Sequence, residues 1–273
     1  MTESGDVHYR LGIIGAGAMG RALLNSAIRG DVVGADEVIA SDINPVCRTA
    51  AEDLGCYATD DNRAVVHSAE VLLIAVKPQV IRQVLGDLRD DFREGQLLIS
   101  IAAGVSLATL REAIGDRPAL VRVMPNICCT VGAAASAFSA DERVTAEQSG
   151  FVCELLAAAG EVVSVREELL DAVTGLSGSG PAFVAVFIEA LADGGVAAGL
   201  PRDQAQKLAA QTVLGAARWV MEGNASPAQL KDLVASPGGT TIAGLRALED
   251  GGLRAATISA VVAAAERSRE LGG

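Results

Sequence analysis

Few side chains in this sequence can carry a proton at neutral pH. Its 273 residues include two histidines, and Phe, Tyr and Trp together make up 3%. His8 lies in a polar leader, as does Tyr9. His67 falls in the connection before the third apolar strand, away from the strand ends where open α/β sheets bind ligands, and Tyr57 lies in the approach to that unit. A reaction that needs a strong built-in acid or base is therefore disfavoured. Cysteine is also sparse: Cys47, Cys56, Cys128, Cys129 and Cys153 are odd in number and contain no C-x-x-C pair. That spacing excludes a disulfide framework and a zinc site, and a vicinal pair such as Cys128 and Cys129 rarely closes an unstrained disulfide. No metal site is expected. Lysine occurs only at Lys77, Lys207 and Lys231, and 34 acidic residues against 22 basic ones give a net charge of −12. A nucleic-acid partner is excluded, because phosphate neutralisation needs clustered cations. The lysine-poor, acidic balance leaves two readings open, a salty cell interior or a GC-rich genome. No apolar run approaches the roughly 20 residues of a membrane span, and residues 1–9 lack the basic start and apolar centre of a signal peptide. The expectation is a soluble, cytoplasmic chain with no membrane partner.

Apolar residues make up 50% of the chain, ample for a core. The most informative stretch is Arg10-Leu-Gly-Ile-Ile-Gly15-Ala-Gly17-Ala-Met-Gly20, a short apolar strand that runs into a Gly-x-Gly-x-x-Gly turn. Gly15 permits the tight turn, Gly17 lets backbone approach a pyrophosphate, and Gly20 lets the helix pack on the strand. Met19, Leu23, Leu24, Ala27 and Ile28 recur at helical spacing, with Gly30 as the stop. A second strand, Val38-Ile-Ala-Ser-Asp42, ends in an acid about 20 residues on, the position that holds a ribose hydroxyl in dinucleotide sites.

Strand and helix go on alternating. Asn44 to Leu54 is helical, Val71 to Val76 is a buried parallel strand, and Leu97 to Ile101 and Leu120 to Met124 are further strands, with helices at Gln79 to Leu88 and Leu107 to Ile114. Ala134 to Ser139 and Glu161 to Val165 extend the sheet around a helix from Thr145 to Ala159. This is a Rossmann-type, doubly wound parallel sheet, placed in residues 1–166. Residues 167–273 form an all-α domain with helices at Pro181–Ala198, Arg202–Met221, Pro227–Val234, Thr241–Leu248 and Ala255–Leu271. The first of these is apolar nearly all round, so it must be covered on every side, and a second copy of the chain is the expected cover.

With acids and bases scarce, the chemistry favoured is one whose substrate brings its own proton. Reduction of a C=N bond fits, because an iminium is already electrophilic and needs positioning more than proton cycling. Ser236-Pro-Gly238-Gly239-Thr240-Thr241 opens a helix with free N–H groups suited to a carboxylate. A proline-initiated turn with a threonine N-cap would use the same residues, and both readings stand. Gly175 to Phe183, with Ser177, Gly178, Ser179 and Gly180, reads as a hinge or a close helix crossing.

Taken in order, these motifs resemble the pyrroline-5-carboxylate reductases from about Leu11 to Glu270. The resemblance is carried by Gly15 to Gly20, Ala75-Val-Lys-Pro78, Ser100 to Gly104, Arg122-Val-Met-Pro-Asn126, Thr174 to Pro181, Ala190 to Gly195 and Gln229 to Ile242. It implies reduction of 1-pyrroline-5-carboxylate to L-proline, the last step of proline biosynthesis, by NADPH or NADH. It also implies a helical dimerisation domain and often a ring of five dimers. The cofactor would lie against Gly15, Gly17, Ala18, Met19, Gly20, Ser41, Asp42, Asn62, Ala75, Val76, Lys77, Pro78, Ala102 and Ala103. Substrate would lie against Ser236, Gly238, Gly239, Thr240 and Thr241 with Glu167 nearby, and Thr241 would donate to the ring nitrogen. Asn126 is followed by Ile-Cys-Cys-Thr130 where the family commonly has Thr-Pro. Asp42 stands where members that prefer NADPH carry Ser, Thr, Asn or Arg, which leans the choice to NADH, while Arg48 leaves dual use open. β-Hydroxyacid dehydrogenases and other imine reductases share this plan, but the hydroxyacid enzymes carry a lysine on the helix that here spans Pro181–Ala198 and has none. A non-catalytic NAD(H) sensor would need an effector surface that the sequence does not display.

Overall fold

The computed structural model describes residues 8–223 and 226–272. They group into two compact units: residues up to Gly178 together with those from Ala264 onward, and residues Ser179–Ala263. The first unit is built from β1 (Tyr9–Ile14), α1 (Ala18–Arg29), β2 (Val38–Ser41), α2 (Pro45–Glu52), β3 (Tyr57–Thr59), α3 (Asn62–Ser68), β4 (Ala69–Ile74), α4 (Pro78–Asp87), β5 (Leu97–Ser100), α5 (Leu107–Ile114), β6 (Ala119–Met124), β7 (Ala134–Ala140), α6 (Ala146–Ala157) and β8 (Gly160–Ser164). The strands form one eight-stranded sheet in the order β3-β2-β1-β4-β5-β6-β7-β8. β1 pairs in parallel with both β2 and β4, so the winding reverses between them and opens a crevice at their carboxyl ends.

Alternation along β1 sorts its side chains. Leu11 and Ile13 join Leu23 and Leu24 of α1 and Val152 and Leu155 of α6 on one face, while Ile14 joins Val65 of α3, Ile81 of α4 and Leu110 of α5 on the other. Each such side chain, wholly buried, contributes about 1.5–3 kcal/mol. Gly12 admits α3 against the strand: a Cβ there would sit 2.6 Å from Val65 and 2.7 Å from Ala69. Local signals fix the helix starts. Asn44 caps α2 ahead of Pro45, Asp61 caps α3, Ser106 caps α5, and Thr145 with Gln148 forms a capping box on α6.

Four features differ from the sequence reading. The leader assigned to residues 1–9 lies outside the described residues except at His8 and Tyr9, and Tyr9 opens β1 opposite Ala69. Strand β3 was not expected; it has three residues, too few for a periodicity to register, and Tyr57 stacks on Tyr9 at 6.2 Å. β7 runs antiparallel to β6, and β8 is parallel to β7, so the sheet is not parallel throughout. The β6–β7 connection, residues 125–133, is occupied by the 3₁₀ turn Ile127–Val131, and a parallel crossover needs a dozen residues or more. Finally, the helical stretch Glu167–Ala197 contains an 18-residue window with a mean hydropathy of 1.4, long and apolar enough by composition for a membrane span. Its glycines and serines interrupt the apolar run without lowering the average enough to disqualify it.

The compact units part later than the 166/167 boundary read from composition. A 3₁₀ turn (Glu167–Leu169), the short helix α7 (Leu170–Val173) and a π-type turn (Thr174–Gly178) are tied to the sheet. Leu170 is fully buried, Glu167 reaches Arg122 of β6, and a Cβ on Gly178 would strike Met124 at 2.5 Å.

The second unit holds α8 (Gly180–Ala197), α9 (Arg202–Met221), α10 (Pro227–Leu233), α11 (Thr240–Asp250) and the beginning of α12 (Leu253–Gly272). α8 and α9 meet through Ala192, Ala205 and Ala209, and Gly195 brings them close, since a Cβ there would lie 3.1 Å from that of Ala205. Larger apolar side chains face outward: Val186 is 65% exposed and Leu214 59%. The helix read as apolar all round buries only Ala192 within its own chain, which is the pattern of a surface that a partner covers.

Candidate active site

The three glycines after β1 answer to different constraints. Gly15 has φ +98°, and a Cβ there would lie 2.8 Å from the backbone of Ala75; on Gly20 it would lie 2.4 Å from the Gly15 carbonyl oxygen. At Gly17 a Cβ would meet nothing within 4 Å, so the protein itself does not require glycine there. Gly17 is the N-cap of α1, which has no side-chain cap and no acid in its first turn. An open, uncapped helix N-terminus with room for one more group fits a pyrophosphate, which the amides of Ala18, Met19 and Gly20 could hold.

Backbone bonds set the rim of this crevice. Gly15 N donates to Ser41 O (2.8 Å), Ala75 N to Ile14 O (2.8 Å) and Ile101 N to Ile74 O (3.1 Å), so the loops leave β1, β2, β4 and β5 at one level. Buried Ser41 donates its hydroxyl to Asn62 Oδ1 at 2.7 Å, fixing Asn62 at the start of α3. Asp42 Oδ1 accepts from Asn44 N (2.8 Å). The Arg48 guanidinium donates to the carbonyls of Asp42 (2.8 Å) and Ile43 (3.2 Å) and braces the loop from behind. After β4, Ala75 and Val76 are half-buried, and Lys77 and Pro78 open α4 at the surface. After β5, Ala102 is buried and Ala103 exposed.

At the end of β6, Asn126 caps the 3₁₀ turn by accepting from Cys128 N (3.2 Å) and donates through Nδ2 to Ser177 O (3.0 Å). This buried amide was legible as part of a motif but not as a joint between two segments. Cys129 Sγ lies 3.3 Å from Met19 Sδ. Burial, and then the neighbouring Cys128, push the Cys129 thiol above its ordinary range, so it stays protonated at neutral pH and is a poor redox nucleophile. His67 is far from this chemistry in role: its Nε2 lies 2.8 Å from Asp91 on an exposed surface.

Glu167 lies in the first unit, where its Oε1 accepts from Leu107 N (2.7 Å) and from Arg122 (3.2 Å). The remaining substrate candidates form one loop of the second unit. Gly238 has φ +67°, Gly239 N donates to Ser236 O (3.0 Å), and Gly239 is the N-cap of α11 without a side-chain cap. Thr240 and Thr241 are therefore the first two helical residues and neither is the cap, which removes the capping reading. Elsewhere Thr174, Thr212 and Thr257 spend their hydroxyls on the carbonyl one turn back. At the first turn no helical carbonyl lies behind, so the hydroxyls of Thr240 and Thr241 make no bond among the described residues. Gly238 and Gly239 also line a cleft of about 610 Å³ with Lys231, Arg246, Glu249 and Arg254, in which Arg254 is paired with Glu249.

A doubly wound sheet with an open glycine turn at its switch point, followed by a helical unit, defines a dinucleotide-dependent oxidoreductase. The chain is 46% identical to the pyrroline-5-carboxylate reductase of Methanosarcina acetivorans over 97% of its length and 98% of that protein's, and 46% identical to that of Pisum sativum over 96% of each. It belongs to the pyrroline-5-carboxylate reductase family. Residues 167–271 match the family model for pyrroline-5-carboxylate reductase dimerisation, and residues 10–104 match that for coenzyme F420-dependent NADP oxidoreductase. A solved pyrroline-5-carboxylate reductase from Coxiella burnetii superposes with a TM-score of 0.92 at 34% identity, over 97% of this chain and 99% of that one. The Plasmodium falciparum pyrroline carboxylate reductase with NADP bound gives 0.87 at 30% identity, over 98% and 100%.

Proposed function

We propose that this chain reduces 1-pyrroline-5-carboxylate to L-proline, the last step of proline synthesis, with a nicotinamide dinucleotide as reductant. The observation that carries the reading is the N-terminus of α11, where an uncapped helix and the unengaged Thr241 hydroxyl offer donors and no proton-cycling group. The backbone N–H groups from Gly238 to Thr241, with Ser236, hold the substrate carboxylate, and Thr241 donates to the ring nitrogen. When bound, the reduced dinucleotide supplies the hydride that converts the iminium carbon to the amine carbon of proline. Gly15 to Gly20 seat its pyrophosphate, Ser41, Asp42 and Asn62 its adenosine ribose, and Ala75 to Pro78 with Ala102 and Ala103 the nicotinamide side. In the chain's own economy the protein needs only to orient, because the substrate arrives already electrophilic.

NADH is the reductant we favour. Asp42 stands where a 2′-phosphate would meet a like charge, a cost of several kcal/mol at an effective dielectric of about 20. Arg48 would have to release two carbonyls to compensate. A second copy of the chain covers the apolar faces of α8 and α9, and five such dimers close a ring, as the resemblance implies. The five free thiols suit a reducing compartment, the cytoplasm.

The test is loss of reduced nicotinamide absorbance when pyrroline-5-carboxylate is added to the purified chain with NADH or NADPH, at low and high salt. Consumption is expected, with kcat/KM higher for NADH by about 10- to 100-fold, and Asp42→Ser should narrow that ratio. Folded protein that binds NADH but consumes neither cofactor would sink the reading.

A further inference from the structure

Ser41 ends β2 with no exposed surface, paired with Ile14 of β1 on one side and Thr59 of β3 on the other. Its part in seating a ligand at the crevice is therefore indirect. The hydroxyl has two acceptors in reach, Asn62 Oδ1 at 2.7 Å and Ile13 O at 3.4 Å. It has one proton to give, and the shorter bond takes it. The backbone on either side of Asn62 is already fixed: Asp61 N donates to Thr59 Oγ1 (3.1 Å), Asp61 Oδ1 accepts from Arg63 N (2.8 Å), and Asp42 N donates to Thr59 O (3.2 Å). What remains free in Asn62 is the turn of its carboxamide, and Ser41 decides it. With Oδ1 held inward, Nδ2 is left accessible on a half-buried side chain and makes no bond among the described residues.

We infer that Ser41 is a positioning residue that sets the polarity of Asn62, so that the carboxamide meets the dinucleotide as a donor, through Nδ2, to an oxygen of the adenosine half. Asp42, the next residue, supplies the opposite polarity. Its Oδ1 takes Asn44 N, and the carboxylate accepts from a ribose hydroxyl. One acceptor and one donor, held at fixed orientation by a buried hydroxyl and a loop bond, then face the same sugar. The inference rests on the reading that Asp42 and Asn62 face the adenosine ribose.

The experiment is a double-mutant cycle on full-length protein, read as Kd for NADH by fluorescence of the reduced nicotinamide and for ADP-ribose, which lacks the nicotinamide, by calorimetry. Ser41→Ala should raise both Kd values about three- to tenfold, the loss of one neutral hydrogen bond. Asn62→Ala should raise them about tenfold, and adding Ser41→Ala to it should cost less than about twofold more, because the clamp then has nothing to hold. A residue that merely stabilised the sheet would cost the same in both backgrounds. Asn62→Asp keeps an acceptor for Ser41 but puts an acceptor where the donor stood, and it should bind at least about tenfold more weakly. It decides the question if Ser41→Ala does not fold. Additive losses would overturn the inference and leave Asn62 a ligand that needs no clamp. So would native affinity in Asn62→Asp, or losses for NADH without matching losses for ADP-ribose. Unchanged Kd in Asn62→Ala would remove the inference together with the reading of the rim beneath it. Because Kd is read without turnover, the inference and the proposed reaction can fail separately.

Discussion

Gly17→Ala should cost at least about tenfold in dinucleotide affinity and at most about 1 kcal/mol in stability, whereas Gly20→Ala should cost both binding and fold. The two positions differ by three residues but by the whole of their surroundings. The Cβ that Gly17 lacks would meet no protein atom within 4 Å, and its backbone, φ −67° and ψ −170°, is open to any L residue. The stability cost is therefore confined to exchanging a good N-cap residue for a poor one. The space in front of α1 is lost to the added methyl, and valine should be worse than alanine. At Gly20 the Cβ would press on the Gly15 carbonyl at 2.4 Å, between two backbone segments that cannot rotate away. Overpacking of this kind costs typically 1–3 kcal/mol, and it displaces the turn that Gly15 closes. Isothermal titration with NADH and thermal melts of both variants provide the comparison. Equal melting losses in the two would mean that Gly17 is a structural glycine and that the crevice is not where the pyrophosphate sits.

Thr241→Ala should lower kcat/KM for pyrroline-5-carboxylate by about 10- to 100-fold, or roughly 1.4–2.7 kcal/mol, the range for a lost hydrogen bond to a charged group. The melting temperature should not move with it. Gly239 is the N-cap, and the Thr241 hydroxyl bonds to nothing else among the described residues, so its removal leaves no partner unsatisfied. Serine keeps the donor and should retain most of the activity, while valine keeps the shape and should behave like alanine. Steady-state kinetics on the three variants separate donor from shape. Kinetics unchanged in the alanine variant would remove Thr241 from the reaction.

Features carried by neighbours in sequence were legible before any coordinates. The spacing of Gly15, Gly17 and Gly20 encodes a turn, an opening and a close packing within six residues; Gly15 and Gly20 sit against backbone as a turn and a close packing require, and a Cβ on Gly17 would meet open space. The helices read from Asn44 and Gln79 start within a residue of those positions, at Pro45 and Pro78, where proline fits the first helical turn. Contacts between distant residues were not legible. Arg122 was visible as a charge inside an apolar strand, a signal that it must find a partner, but the partners Glu167 and Asp171 lie 45 and 49 positions further on, and nothing local names them. The direction of β7 was available in the shortness of its connection to β6, yet alternating strands and helices argue for parallel pairing until connection length is weighed against it. The glycine–serine run at Gly175–Gly180 could not be resolved between hinge and crossing, because its outcome, a π-type turn seated on Met124, depends on the end of β6.

The fully buried part of the contact between α8 and α9 is Ala192, Ala205 and Ala209, with Ile188 and Val196 packed against it partly buried. Other large apolar side chains of these helices, among them Val186 and Leu214, face outward. A second copy that covers those faces would add its association free energy to the stability of this half of the chain. To that extent its stability would rise with protein concentration and fall on dilution.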